Sequence, residues 1–155
     1  MSISTLLKNF LDENRVTYST MAHTTAYTAQ GAAATMKISG KELAKTVVLR
    51  AGEETVLAVL PAAPHANLEK LASLLGKPVR LASEQEFSSL FPDCELGAMP
   101  PFGSLYNLRV YVDESLAADE NIVFNAGTHR DAIRMRYLDF ARLAKPTVCS
   151  FASKG

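Results

Sequence analysis

Thr46-Val47-Val48-Leu49-Arg50, Ala51-Gly52-Glu53-Glu54 and Thr55-Val56-Leu57-Ala58-Val59-Leu60 run consecutively near the first third of the chain. β-Branched and aliphatic residues flank a short segment holding one glycine and two acids, the pattern of two strands joined by a turn. Pro61 and Pro64 end the second strand, because proline has no N–H to give a ladder. A hairpin here, with helical patterns on both sides, predicts a mixed α/β or α+β domain and not a regular βαβ alternation.

Toward the N-terminus, Ile3, Leu6, Leu7, Phe10 and Leu11 repeat at helical spacing. This predicts a one-faced helix capped by Ser2 or Ser4 and closed by Asn14-Arg15. Val16 to Ala22 reads as a short strand and His23-Thr24-Thr25 as loop. Thr28 caps an Ala-rich helix to about Met36, weakened by Gly31. Ile38 to Ala44 is a connection.

Beyond the hairpin, Asn67 and Gly76 bracket a helix with Leu68, Leu71, Leu74 and Leu75 on one side. Val79 to Ala82 is a strand. Ser83-Glu84-Gln85-Glu86 is a capping box that turns Phe87, Leu90 and Phe91 inward. Leu108, Val110 and Val112 alternate with Arg109 and Tyr111 as a half-exposed strand. Ser115 to Asp119 is a turn or short helix, and Asn121 to Asn125 a buried strand. Ala126-Gly127-Thr128-His129 is a tight turn, and Ile133 and Met135 mark the returning strand. Leu138 to Ala144 is a last helix with Leu138, Phe140 and Leu143 apolar, stopped by Pro146.

With 155 residues, the chain is expected to be one domain spanning 1–155 with a real core. Sixteen basic and sixteen acidic side chains cancel, so bulk charge announces no nucleic-acid partner and any basic surface is local. Cys94 and Cys149 lack metal or redox spacing and read as reduced thiols of a cytoplasmic protein, with a disulfide left open. No apolar run is long enough to span a bilayer, and the N-terminus lacks a signal-peptide pattern. No metal or cofactor is expected. His23, His65 and His129 are scattered, and no nucleophile elbow, P-loop or dinucleotide fingerprint occurs.

The candidate chemistry lies elsewhere. Glu95-Leu96-Gly97-Ala98-Met99-Pro100-Pro101-Phe102-Gly103 is too broken for a helix. It is either a rigid loop presenting backbone donors at Gly97 to a developing oxyanion, or a tight apolar connection between a helix and a strand. Lys45, directly before a strand, can set its ammonium at a pocket mouth or stand as an ordinary solvated lysine. His129 can hydrogen-bond a substrate or be a surface turn histidine. His23 and Tyr27 are further candidates, with core or rim packing as their ordinary reading. Arg130, Arg134 and Arg136 can face a phosphate backbone or form the wet face of an edge strand.

Three segments occur in one order: Lys45-Thr46-Val47-Val48-Leu49, Gly97-Ala98-Met99-Pro100-Pro101 as G-x-x-x-P, and Asn125-Ala126-Gly127-Thr128-His129. That order resembles the YbaK/ProX family of aminoacyl-tRNA editing proteins, whose domain is also inserted in bacterial prolyl-tRNA synthetases. The likeness covers nearly the whole chain. It implies a curved, partly barrel-like mixed β-sheet flanked by helices. It also implies hydrolysis of the ester of mischarged tRNA, without a cofactor.

On this resemblance the signature lysine falls on Lys45 and the family loop on Gly97 to Pro101. The late pocket histidine falls on His129, beside Thr128. Lys45 and Gly97 become the catalytic candidates. Ala98, Met99, Pro100, Pro101, Thr128, His129, His23 and Tyr27 become the substrate-binding ones. The loop and the Arg-Met-Arg strand look most like the ProX branch, which deacylates Ala-tRNA(Pro); sister branches clear Cys, Ser or Thr. The implied partners are mischarged tRNA(Pro) and prolyl-tRNA synthetase, with no membrane. A non-catalytic aminoacyl-tRNA-binding module and a hydrolase of small esters are the rival classes.

Overall fold

In a computed structural model the described residues are 4–22, 43–62, 64–95 and 97–153. His23, Tyr27 and the expected Ala-rich helix lie outside them. Helix α1 spans Thr5–Glu13 and begins at Ser4, whose hydroxyl oxygen accepts from the Leu7 N–H. Its face carrying Leu7 and Leu11 is fully buried. Strand β1 (Tyr18–Ala22) follows, and then β2 (Ala44–Ala51) and β3 (Glu54–Pro61) form the expected hairpin, paired from Ala44 with Pro61 to Ala51 with Glu54. Lys45 is thus inside a strand, not before it, while β3 does end at Pro61, which is its last paired residue.

The short strand β4 (His65–Ala66) leads to α2 (Leu68–Leu75), which Asn67 caps through the Lys70 N–H and Gly76 ends in the left-handed conformation. Strand β5 is Val79–Leu81. The capping box forms as expected, but α3 (Glu84–Phe87) lasts one turn before a 3-10 turn at Ser88–Leu90. After the Gly/Pro segment come β6 (Arg109–Asp113), α4 (Glu114–Ala117), β7 (Asn121–Asn125), β8 (Asp131–Arg136), α5 (Tyr137–Ala144), β9 (Thr147–Cys149) and β10 (Ala152–Ser153).

Five strands pair in the order β5-β2-β3-β6-β9, antiparallel except at β3-β6 and β6-β9. Three more pair antiparallel as β1-β8-β7, and β10 pairs β4. A parallel bridge between Leu43 and Val123 ties the two larger sheets together at the start of β2. β2 therefore borders β7 at its first residues and β5 at its last, which bends the combined surface. The architecture is a mixed α+β fold with a curved sheet flanked by helices.

Three details depart from the sequence reading. Strand β6 is buried on both faces, because the main core packs on Val110 and Val112 and a second core on Tyr111, which is only 8% exposed. Strand β8 is central, not an edge, although Arg134 and Arg136 do point to solvent. In α5 the buried residues are Tyr137, Phe140 and Ala144, while Leu138 is 71% exposed. The helix starts one residue earlier than expected, and its inward stripe is offset accordingly.

The main core fills one face of the sheets. Leu7 and Leu11 of α1 meet Val48, Leu57 and Val59 of the hairpin, Ile122 and Phe124 of β7, Ile133 and Met135 of β8, and Phe140. Phe102 is its aromatic centre, edge-on to Phe10, Phe124 and Phe140 at centroid distances of 5.7, 5.6 and 5.4 Å. Full burial of one such ring contributes about 1.5–3 kcal/mol before the edge-to-face geometry adds more. A second core packs Leu71 of α2 and Phe151 against Leu49, Val56, Ala58, Leu60 and Tyr111 on the other face of the five-stranded sheet. Asp113, 3% exposed, holds the C-terminal segment there by accepting from the Phe151 and Ala152 N–H groups, each at 2.8 Å.

Candidate active site

Phe102 explains why the Gly/Pro segment keeps its shape. The ring is plugged into the core, and Ala98, Met99, Pro100 and Pro101 are buried with it, so the segment is anchored at its C-terminal end. Among the described residues from Glu95 to Gly103, Gly97 alone is exposed. Its φ of +85° belongs to the region that glycine tolerates and side-chained residues rarely adopt. A Cβ at Gly97 would sit 3.3 Å from Cε1 and 3.6 Å from Nε2 of His129, so the imidazole lies directly on the turn.

The two turns are stitched together. The Glu95 N–H donates to the Gly127 carbonyl at 2.7 Å, and the Gly127 N–H donates to the Ala98 carbonyl at 3.0 Å. The Glu95 carboxylate accepts from the His129 N–H at 2.7 Å. Within the first turn, the Ala98 N–H is committed to the Glu95 carbonyl at 3.0 Å. Among the described residues the Gly97 N–H faces the Met99 thioether at 3.2 Å, a weak acceptor that a better one displaces. Of the donors expected at this loop, Gly97 is therefore the one left available.

Thr128 is 1% exposed and serves its own turn. Its hydroxyl donates to the Asp131 carboxylate at 2.6 Å and accepts from the Arg130 and Asp131 N–H groups at 3.2 and 3.0 Å. Behind the turn, the Ser4 N–H donates to the Ala126 carbonyl. A Cβ on Gly127, whose φ is +97°, would lie 3.0 Å from the Ser4 Cβ, so glycine is required by both conformation and space. The Ser4 hydroxyl in turn donates to Asp93, which also accepts from the Tyr106 hydroxyl at 3.0 Å. Burial pushes the Asp93 carboxyl up, but the bonds from Ser4, Tyr106 and Cys94 outweigh it and hold the group below its ordinary value. Burial pushes the Cys94 thiol up to about 12, which removes it as a nucleophile. Both cysteines are free thiols.

Strand register joins Lys45 to this assembly. Residues paired across a ladder share a face, and alternate residues along a strand share one too. Leu43 bridges Val123 in parallel at an isolated contact, and Lys45 and Asn125, each two residues further on, lie on the same face as that bridge. Lys45 pairs with Leu60 on its other side; Asn125 pairs with Ala132, and Ala132 with Met21. One row thus crosses four neighbouring pairs on the face opposite the main core: Leu60, Lys45, Asn125, Ala132 and Met21. The adjacent row holds Leu43, Val123, Arg134 and Ser19. Val123 and Ala132 are fully buried, so this face is covered at its centre and meets water at Arg134 and Arg136.

Lys45 is half-buried, and burial alone acts on its ammonium, lowering its pKa. Among the described residues no carboxylate pairs with it. The Asn125 side-chain oxygen is likewise buried and has no hydrogen-bond partner among the described residues. The segment Ala126 to His129 leaves from the end of this row. The structure thus brings together Gly97, Ala98, Thr128 and His129 by direct contact, and Lys45 with Asn125 by register. Sequence reasoning had no separate signal for Asn125, nor for Glu95 and Asp131 as the residues that fix the two turns.

A surface cavity of about 650 Å³ lies on the far side of Asp93, lined by Leu6, Leu90, Leu105, Tyr106 and neighbours, and includes none of the candidate residues. No helix among the described residues is long and apolar enough to cross a membrane, and no group of three or more His, Cys, Asp or Glu there is arranged to hold a metal ion.

The fold and the three segments define an editing-domain protein. Residues 23–143 match the family described as aminoacyl-tRNA editing domain, and the chain belongs to that family. It is 36% identical over 98 residues to the multifunctional Ser/Thr-tRNA deacylase ProXp-y of Escherichia coli K12, a match covering 62% of this chain and 58% of that relative. The uncharacterized protein YwhH of Bacillus subtilis 168 is 26% identical over 136 residues, covering 87% of this chain and 86% of YwhH. A crystal structure provisionally described as a trans-editing enzyme for prolyl tRNA synthetase superposes with a TM-score of 0.83 at 21% identity, covering 97% of each chain, and shares the fold.

Proposed function

We propose that this protein is a trans-editing deacylase that hydrolyses the ester between a wrongly attached small amino acid and tRNA. The observation that supports it most is the Gly97–His129 contact: an exposed backbone donor without a good acceptor, held against an imidazole at the end of the Lys45–Asn125 row. An aminoacyl ester is already activated, so the site needs no covalent nucleophile. It must hold the carbonyl carbon near water and stabilise the oxyanion. The Gly97 N–H is the donor for that oxyanion. Lys45 supplies positive charge from a partly dry position, where charge acts more strongly than in water. His129 orients the ester or the terminal adenosine. On the family resemblance, His23 and Tyr27 are further substrate-binding candidates. The protein works in the cytoplasm, where charged tRNA is found, alongside prolyl-tRNA synthetase.

Ala-tRNA(Pro) is the first substrate proposed. A proline-activating site admits the smaller alanine, and a second pocket walled by Met99, Pro100 and Pro101 that excludes proline corrects the error. A second reading, Ser- or Thr-tRNA, is favoured by the Escherichia coli relative. Initial deacylation rates on Ala-, Ser-, Thr-, Cys- and Pro-tRNA, set beside a free amino-acid ester, test both. Hydrolysis of Ala-tRNA(Pro) with Pro-tRNA(Pro) spared is the expected result. A Ser or Thr preference moves the protein to the second reading. Equal rates on the free ester and charged tRNA identify a small-ester hydrolase, and tRNA binding without turnover identifies a binding module.

A further inference from the structure

We propose that the side-chain oxygen of Asn125 is a substrate-reading group, accepting a hydrogen bond from an uncharged hydroxyl of the aminoacyl-tRNA. This assignment rests on the editing reading above. A buried carbonyl oxygen with no donor is rare in a settled core, because burial removes its water without replacement. Here it occurs on the same sheet face as Lys45, two residues beyond the Leu43–Val123 bridge, on the row from which the His129 turn departs. Several polar groups of that turn are matched within the protein: Thr128 by Asp131, the His129 N–H by Glu95, and the Gly127 N–H by Ala98. The oxygen, without a donor among the described residues, therefore marks a place where a ligand can supply one.

The neighbouring charge selects the kind of donor. Lys45 has no carboxylate partner among the described residues, so an ammonium group placed beside it meets uncompensated repulsion. A hydroxyl does not. Two hydroxyls of an aminoacyl-tRNA have the right chemistry: the β-hydroxyl of a seryl or threonyl group, and the free vicinal hydroxyl of the terminal ribose. A site built to bond a substrate hydroxyl discriminates strongly against the analogue without it, since the protein acceptor is otherwise left dry and unpaired.

The test compares wild type, Asn125→Ala and the near-isosteric Asn125→Leu in single-turnover deacylation of Ala-tRNA and Ser-tRNA. Each substrate carries either a normal terminal ribose or one lacking the vicinal hydroxyl, and thermal melts run in parallel. Both variants are expected to fold and to lose about tenfold to a hundredfold in rate where the hydroxyl is present. A loss confined to Ser-tRNA assigns the β-hydroxyl. A loss on both amino acids that disappears with the deoxy substrates assigns the ribose. Equal losses on all four substrates, or no loss on any, overturn the assignment. A wild type inactive on every charged tRNA removes the editing reading and this assignment with it, whereas an active wild type matched by both variants removes this assignment alone.

Discussion

The two faces of the curved sheet are built on opposite terms. On the face that carries the main core, Val48, Leu57, Val59, Ile122, Phe124, Ile133 and Met135 pack against α1 and Phe102 with no ionisable group among them. On the other face, around the Leu43–Val123 bridge, Lys45 and Asn125 sit in partly or wholly dry positions without protein partners among the described residues, and Arg134 and Arg136 lie beyond them. A fold selected for stability alone would not leave these groups so. The first face holds the backbone still; the second keeps polar capacity in reserve, and the stitched turns at Gly97 and His129 stand where the two meet.

If that contrast is right, the largest change in activity with the least change in stability belongs to Lys45. Lys45→Ala should lower deacylation by about 10²–10³-fold, the range seen when a charge-stabilising group is removed from a reaction centre. The melting temperature should hold or rise slightly, because a partly buried cation without a carboxylate partner among the described residues is removed. Turnover within a few-fold of wild type in a folded variant would take Lys45 out of the site.

The next effect is mixed. Gly97→Val places a β-branched residue at a φ of +85° and a Cβ 3.3 Å from the His129 ring. Backbone strain should cost about 1–2 kcal/mol of stability, and displacement of the turn should reduce turnover by roughly tenfold to a hundredfold. Denaturant unfolding and initial rates, measured on one preparation, separate the two. Full activity would reduce the loop to a connector.

Asp93 belongs to the holding side of the contrast, and its signature is in stability. Asp93→Asn should cost about 1–3 kcal/mol, since it weakens charge-assisted bonds from Ser4 and Tyr106. The native carboxyl is held below its unfolded value, so the folded state binds fewer protons and the contribution is complete above about pH 4. It disappears as pH falls through the lowered native value. Wild type should therefore lose stability on that acid limb more steeply than the variant; parallel acid limbs in urea titrations would show that Asp93 is not held by this network.

The hairpin, the capped helices at Ser4, Asn67 and Ser83, and the Ala126–His129 turn were legible because each is fixed by local chemistry: β-branched runs, cap residues, a glycine at a turn. Strand β6 misled for a non-local reason. Arg109 and Tyr111 alternate with aliphatics as on a solvent face, but the parallel pairings with β3 and β9 and the covering Phe151 bury Tyr111, and nothing near residue 111 announces residue 151. The same holds for β8, whose central place depends on β1, more than a hundred residues earlier. At the site, Lys45, Gly97 and His129 stood out by motif order, while Asn125, although it opens the third segment, and Glu95 carried no role of their own. An asparagine ending a strand looks ordinary until the bridge at Leu43 sets it beside a lysine, and a glutamate before a glycine looks solvated until its carboxylate is found on the His129 N–H.

The smallest expected effect tests whether the open face extends to the tRNA backbone. The chain has zero formal net charge, so any salt dependence of binding must come from local cations. Arg134 and Arg136 share the face of Lys45 and Asn125, and Arg130 is exposed on the adjoining turn. Arg136 is partly neutralised by Asp139 at 3.3 Å, and a substitution at Arg134 probes the same face while leaving that pair intact. Each phosphate contact contributes roughly −0.7 to −0.9 to the slope of log K against log salt, so three contacts give about −2 to −3. Arg134→Gln should flatten that slope by about 0.7–0.9 and weaken binding only severalfold at low salt. Lys8→Gln on α1, a residue already paired with Asp12 at 2.8 Å, should leave the slope unchanged. A wild-type slope near zero would detach the open face from the phosphate backbone and favour the small-ester hydrolase. Equal flattening by both substitutions would show that the field is diffuse and that the arginines of β8 do not form a track.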